Sequence, residues 1–262
     1  MNNSLDKIKK FLLDLFFPKF CLGCKKEGAY LCDDCRSILE ISEFNYCLCD
    51  TKPARLPLEQ KSVLPAGRQG KCNKCRDKKL SGLYFALPYN LPAGGQEKSL
   101  AKKLIYQFKY QPYLKDLAKT LASILIEHFI NTGKNTNESW APNGVPAFLI
   151  PVPLDKKKFK NRGYNQSEEL AKELSKIIKI PVISDVLVKI KSTKPQMELK
   201  KEEREKNLQG AFVIKNPESI RDKKIFLVDD VYTTGSTMQE CATVMRDSGA
   251  KSVWGICLAR EE

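Results

Sequence analysis

The sequence predicts an α/β architecture, a mostly parallel sheet with helices on both faces, plus a small N-terminal zinc-ribbon module. Three observations carry that expectation. From about residue 81 onward, strand-like apolar runs alternate with amphipathic helical segments. Those runs are apolar throughout rather than at every second residue, as expected of strands buried on both faces. Eight of the ten cysteines fall within the first 75 residues, in closely spaced pairs. The expected division is residues 1–80 for an amphipathic helix and cysteine-rich module, and residues 81–262 for the α/β domain.

At the start of the chain, Leu5, Ile8, Leu12, Leu15 and Phe16 repeat at helical spacing. Asp14 breaks the apolar stretch and no small-residue cleavage site follows, so the segment does not read as a secretory signal. No apolar run approaches the roughly 18 residues of a membrane span. The expectation is a cytoplasmic protein with reduced thiols. The cysteines form four pairs: Cys21 and Cys24, Cys32 and Cys35, Cys47 and Cys49, and Cys72 and Cys75. A Cys-x-x-Cys knuckle sets two thiolates on one side of a tight turn, and two knuckles complete a tetrahedral zinc site. The first two pairs predict one such site. Cys47 and Cys49 are one residue short of a knuckle, and LPAGRQ (64–69), echoed by LPAGGQ (91–96), reads as inserted loop. The second set is therefore open between a second zinc and a collapsed site.

Tyr84–Tyr89 reads as a strand, followed by a helix burying Leu100, Ala101, Leu104, Ile105 and Phe108. A second helix carries Leu114, Leu117, Ala118, Leu121, Ala122, Leu125 and Ile126, and polar residues 131–143 read as a surface loop. AFLIPVP (147–153) reads as a buried strand and Ser167–Lys179 as a helix. Strand Lys224–Val228, helix Thr237–Asp247 closed by Gly249, and strand Val253–Leu258 complete the domain.

The chemistry concentrates in IFLVDDVYTTGSTMQECATVM (225–245). An apolar strand delivers Asp229 and Asp230 to its carboxyl end, where open α/β sheets bind ligands. Thr233, Thr234, Gly235, Ser236 and Thr237 follow, small enough for backbone N–H groups to close around a phosphate at a helix N-terminus. Acids do not bind phosphate directly, but they accept hydrogen bonds from ribose hydroxyls and hold Mg²⁺ or its waters. A phosphate, a diol and a divalent cation together suit a ribose phosphate bearing pyrophosphate. The plainer alternative is a strand–turn–helix connection whose acids only cap the helix.

VDDVYTTGST (228–237) resembles the phosphoribosyl-pyrophosphate signature of type I phosphoribosyltransferases. That resemblance implies that Asp229 and Asp230 contact the ribose hydroxyls and metal, and that residues 233–237 cradle the 5′-phosphate. Nearly the whole chain is similar to the ComF family, associated with DNA uptake in naturally competent bacteria. The cysteine module, LIYQFKYQPY (104–113), PVPLDKKKFKNRGYNQSEELA (151–171) and QMELKKEEREKNLQGAF (196–212) carry the likeness. The shortened Cys47/Cys49 pair and the long stretch before Cys72 depart from it.

PVPLDKKKFKNRGYNQ lies where phosphoribosyltransferases place a pyrophosphate loop. Lys156, Lys157, Lys158, Lys160 and Arg162 supply positive charge for a departing pyrophosphate, Gly163 a turn, and Asn165 and Gln166 hydrogen bonds. Arg162 is the first choice, because a guanidinium grips phosphate oxygens bidentately. A solvated basic loop is the alternative. Residues 189–206, with Arg204 and with Asn207 beyond, read as a hood over the site or a solvated connector. His128, the only histidine, reads as structural.

The 45 Lys+Arg against 31 Asp+Glu give a net charge of +14, which favours polyanions or a Lys-rich solubilising surface. Tyr106, Lys109, Tyr110 and Tyr113 interleave aromatics with base, a mixture suited to single-stranded DNA, with Phe108 expected in the core. No Gly-x4-Gly-Lys-Ser/Thr loop occurs, so ATP-driven work would fall to a partner such as a competence helicase. Two readings stand: a Mg²⁺–phosphoribosyl-pyrophosphate protein of DNA uptake, with or without turnover, or a non-catalytic single-stranded-DNA-binding or helicase-docking protein that senses through the same site.

Overall fold

The computed structural model describes residues 16–42, 48, 78–89, 97–134, 140–141, 144–191 and 207–261. The expected helix over residues 5–15, the Cys47/Cys49 and Cys72/Cys75 pairs, the two LPAG segments and most of the hood, with Arg204, lie outside them.

The first element is a short helix, α1 (Asp33–Ser37), opened by Cys32. β1 (Gly82–Pro88) precedes helices α2 (Glu97–Lys109) and α3 (Leu117–Asn131). β2 (Ala147–Pro151) is followed by α4 (Lys156–Arg162) and α5 (Gln166–Ile178). β3 (Leu187–Lys189) and β4 (Phe212–Ile214) precede β5 (Lys224–Tyr232), α6 (Ser236–Asp247) and β6 (Ser252–Arg260).

The main sheet has the order β1-β6-β5-β2, with every pair parallel. Beyond β2, Leu149 N–H donates to Pro181 O and Ile183 N–H to Leu149 O, each at 2.9 Å, so the chain at 181–183 extends the sheet by one bridge. β3 and β4 pair antiparallel, apart from this sheet, with Lys189 opposite Phe212.

Successive residues of β5 face opposite sides. Phe226 and Val228 join a core with Leu104, Leu121 and Leu170 from α2, α3 and α5. Ile225 and Leu227 join a second core with Met238, Cys241 and Met245 of α6. The expected parallel sheet covered on both faces is therefore present.

Two local differences bear on the site. β5 runs on through both acids to Tyr232 instead of ending at Val228, because β6 continues to pair with it, Asp229 lying opposite Cys257 and Tyr232 opposite Arg260. The basic segment expected as a loop is the helix α4. Asp155 caps it by accepting from Lys157 N–H at 3.0 Å, and Gly163 closes it at φ 80°. An acidic N-cap and a left-handed glycine C-cap override the local charge repulsion among its lysines.

The cysteine segment docks on α3. Arg36 donates to Glu127 Oε2 from Nε at 3.1 Å and from Nη2 at 2.8 Å, and to Ser123 Oγ from Nη1 at 2.8 Å. Ser42 N–H donates to Ala86 O of β1 at 2.8 Å. His128 is buried with Nδ1 2.5 Å from Ser42 O, and burial lowers its pKa to about 4. It is a neutral tie between segments, as its isolation in the sequence suggested.

Gly82 lies under the ring of Trp254, where an added Cβ would come within 2.2 Å of Cζ3. Gly82→Ala is expected to cost about 1–3 kcal/mol through forced displacement of that ring, seen as a lower midpoint in urea unfolding.

Candidate functional site

Asp229 and Asp230 stand at the carboxyl end of β5, beside the end of β2 and the N-terminus of α5. Oδ1 of Asp229 accepts from Ser167 Oγ at 2.9 Å and from Asp230 N–H at 2.9 Å. Asp230 is only 3% exposed, and its Oδ1 lies 3.0 Å from Lys109 Nζ at the end of α2. Its Oδ2 is buried with no hydrogen-bond partner. Neither acid caps α6: Gly235 holds that position, with no side-chain cap bond. The capping alternative therefore fails, since both carboxylates are engaged elsewhere.

Electrostatics follow from this crowding. Burial and the neighbouring charge of Asp230 push the Asp229 carboxyl up to about 7, while Lys109, Asp230 N–H and Ser167 pull the other way. Burial alone would lower Lys109, but Asp230 and then Asp229 hold its ammonium above the ordinary value.

After the acids the chain turns through Thr233–Gly235 into α6. Thr234 Oγ1 and Ser236 Oγ are 2.9 Å apart, and Ser236 N–H donates to Thr234 Oγ1 at 3.4 Å. Gly235 sits at φ 79°, and a Cβ there would lie 2.1 Å from Tyr232 Oη. Any larger residue would have to open the turn, so glycine is required on two counts. Thr237 follows in the first turn of α6. The five residues thus form one compact turn at a helix N-terminus, adjoining the acids.

The basic segment adjoins the same end of the sheet. Arg162 Nη1 donates to Gln166 Oε1, its Nε is buried without a partner, and its guanidinium lies 6.0 Å from the Tyr110 ring centroid. Asn165 is committed to the fold: Oδ1 accepts from Ser167 N–H at 3.1 Å, and Nδ2 donates to Val152 O at 3.0 Å. It therefore orients α5, and through Ser167 it steadies Asp229. Gly163 supplies the turn between α4 and α5. Lys156, Lys157, Lys158 and Lys160 are exposed on α4.

Sequence reasoning did not identify Ser167 or the pairing of Lys109 with Asp230. Ser167 carried one signal, its place in the first turn of the helix after Asn165. Lys109 carried none, because the pairing depends on tertiary packing.

The four described cysteines of the N-terminal segment converge. The Sγ atoms of Cys21, Cys24, Cys32 and Cys35 all lie within 4.8 Å of one another, and Cys24 and Cys32 are 3.5 Å apart. Zn–S bonds of about 2.3 Å in a tetrahedron require sulfurs about 3.8 Å apart, so the set fits zinc. Burial works against a thiolate at Cys21, but N–H groups of Cys32, Cys24 and Gly23 bring it down to about 6. Burial and the neighbouring thiols push Cys35 up to about 12. A bound cation would hold all four as thiolates. The acids also suit a hard cation, with carboxylate oxygens including the unpartnered Oδ2 of Asp230. No helix among the described residues is long and apolar enough to cross a membrane.

Two outcomes follow. Asp229 has a folded pKa near 7 against an ordinary 3.8. Its contribution to stability is thus complete below the lower value and lost as pH rises towards the upper one. Asp229→Asn should raise stability at pH 8 by on the order of 1–3 kcal/mol, with the gain shrinking towards pH 4 in thermal scans. Cys32→Ser should lower bound zinc by about one equivalent, read by metal analysis of the purified protein.

The phosphoribosyl transferase domain family matches residues 162–262, which include Arg162, both acids and the turn. Competence protein F of Haemophilus influenzae is 35% identical over 161 residues, covering 60% of this chain and 67% of that protein. DNA utilization protein YhgH of Salmonella typhi is 28% identical over 235 residues, covering 88% and 96%. Competence protein ComFC of Bacillus subtilis is 32% identical over 113 residues, 43% of this chain and 44% of that one. With this sheet, this strand–turn–helix and the four-cysteine cluster, the chain belongs to the ComF family of phosphoribosyltransferase-domain proteins.

Proposed function

We propose that residues 81–262 form a domain that binds Mg²⁺–phosphoribosyl pyrophosphate at the carboxyl end of β5, joined to a zinc module in residues 1–80, and that the protein acts in DNA uptake. The observation that carries the ligand reading is the buried, unpartnered Oδ2 of Asp230 beside Asp229, at the start of the Thr233–Thr237 turn. Buried carboxylate oxygens are rarely left without a partner, and a ligand hydroxyl or a bound cation would supply one here. The names of the relatives, competence and DNA utilization, are the ground for the DNA role.

In this reading Asp229 and Asp230 accept hydrogen bonds from the ribose hydroxyls, and their oxygens hold the cation or its waters. Backbone N–H groups of Thr233, Thr234, Gly235, Ser236 and Thr237 receive the 5′-phosphate, aided by the positive end of α6. Arg162 neutralises pyrophosphate, with Gln166 orienting its guanidinium and Gly163 allowing the turn. Asn165 acts through position rather than contact. When bound, Mg²⁺ supplies charge neutralisation of the pyrophosphate. Transfer would proceed with positive charge developing on the ribose, close to the two carboxylates.

A second reading is favoured by one face of α2. Tyr106 and Tyr110 are 55% and 42% exposed, with ring centroids 4.8 Å apart, and Lys102 and Lys103 are exposed on the same helix. Adjacent exposed aromatics flanked by base suit a single nucleic-acid strand. The strand would then run past Arg162 at the mouth of the phosphoribosyl site. Docking of a helicase by the zinc module remains a separate arm of the same reading.

The test measures Mg²⁺–phosphoribosyl pyrophosphate binding by calorimetry and pyrophosphate release with bases, ammonia and single-stranded DNA as acceptors. Native protein should bind, and Asp230→Asn should lose roughly tenfold or more in affinity. Absence of native binding would defeat the ligand reading. Strand binding that falls roughly tenfold in a Tyr106→Ala/Tyr110→Ala double variant, with ligand binding unchanged, would support the second reading.

A further inference from the structure

Lys109 has no task in the reading above, yet it makes the closest charged contact in the site. It closes α2 and brings Nζ to 3.0 Å from Oδ1 of Asp230, with its side chain mostly buried. The end of α2 is held for this contact. Phe108 is fully buried one residue earlier, and its carbonyl accepts from Tyr164 Oη at 2.5 Å. Tyr164 in turn lies between Gly163 and Asn165, in the turn that sets Ser167 against Asp229. The ammonium is therefore positioned by the same framework that positions the acids.

Resting on the reading of Asp229 and Asp230 as the ribose and cation site, we propose that Lys109 is the resident counter-cation of the acid pair. It bars free divalent cations from the pair, so that metal enters only together with the phosphoribosyl ligand.

The geometry divides the oxygens of the pair by partner. Oδ1 of Asp230 holds the ammonium, and Oδ1 of Asp229 holds Ser167 and a backbone N–H. Oδ2 of Asp230 is buried without a partner, which leaves it ready to accept a hydrogen bond from a neutral hydroxyl. With both Oδ1 atoms engaged, a small divalent cation, which needs several oxygens and gives up its waters reluctantly, finds only part of its ligand set in the pair. Charge acts in the same direction, because an ammonium 3.0 Å from the carboxylate repels an approaching cation and cancels part of the attraction of the acids. A ribose bearing pyrophosphate evades both obstacles. It brings hydroxyls to Oδ2 and carries its own phosphate ligands for the metal. Lys109 is thus a positioning residue that sets the order of arrival.

The test uses Mn²⁺ as probe, on zinc-loaded protein without phosphoribosyl pyrophosphate, read by electron paramagnetic resonance. Asp230→Asn serves as the blank for other metal sites. Native protein should show no Asp230-dependent Mn²⁺ binding at micromolar metal. Lys109→Gln should gain an Asp230-dependent site, roughly tenfold tighter or more, and Lys109→Arg should behave as native protein. If Lys109→Gln is only marginally folded, the same titration is read as thermal stability, since a ligand of the folded state raises its Tm. A Mn²⁺-dependent rise absent from native protein supports the proposal. Unchanged Mn²⁺ binding and Tm in Lys109→Gln would overturn it, as would micromolar, Asp230-dependent Mn²⁺ binding by native protein. A loss of phosphoribosyl pyrophosphate affinity in Lys109→Gln without any gain in Mn²⁺ would also overturn it, making Lys109 a direct phosphate ligand. The Mn²⁺ comparison involves no phosphoribosyl ligand, so failure of native protein to bind that ligand defeats the site reading separately.

Discussion

The structure is organised around the cost of placing two adjacent carboxylates at the buried end of a central strand. β5 has a parallel neighbour on each side, β6 and β2, so its carboxyl end lies between the carboxyl ends of those strands. Like charges so close, and withdrawn from water, repel and desolvate each other. Each nearby polar feature offsets part of that cost. Ser167 and the Asp230 N–H serve Asp229, and Lys109 serves Asp230. Removing one partner from a buried ion pair such as Lys109 and Asp230 typically costs about 3–5 kcal/mol, and Ser167 adds a hydrogen bond from α5 to Asp229.

The cysteine segment connects to the same framework through apolar packing. Cys21, Leu31, Cys35 and Leu39 share one core with Leu100 and Leu104 of α2 and with Leu121 and Leu125 of α3. Arg36 adds a forked contact to Glu127. A metal that orders the four thiolates therefore also orders the outer surface of the helix layer. α2 has the module against its first half and Lys109 against Asp230 at its end, so it spans the distance between the cysteine cluster and the acids.

Features written in contiguous residues were legible in the sequence. The apolar run ending in Asp229–Asp230, the small-residue turn and the following helix formed as expected, and the first two cysteine pairs converged. What escaped was tertiary or depended on competing local signals. The lysine-rich segment read as loop by its likeness to a pyrophosphate loop, yet Asp155 and Gly163 cap it into α4. Asn165 read as a ligand donor because asparagine often is one, but both ends of its amide are spent on the fold. Lys109 sat in a run of aromatic and basic residues whose pattern suggested an open surface. Tyr106 and Tyr110 do face solvent, while Lys109 between them turns inward to an acid far along the chain.

That division of neighbouring residues on α2 is itself informative about the chemistry. A surface made only for a polyanion would display its lysines beside its aromatics, as Lys102 and Lys103 are displayed. Burying Lys109 removes one cation from such a surface and imposes a desolvation cost on it. The arrangement is favourable only because the acids are already there, and the acids themselves are unfavourable, as the elevated Asp229 carboxyl indicates. A fold selected for stability alone would replace the three charged groups by apolar ones of similar volume, often at no loss. The proposed phosphoribosyl ligand, whose hydroxyls and phosphates would complete the set, accounts for charges that stability alone does not require.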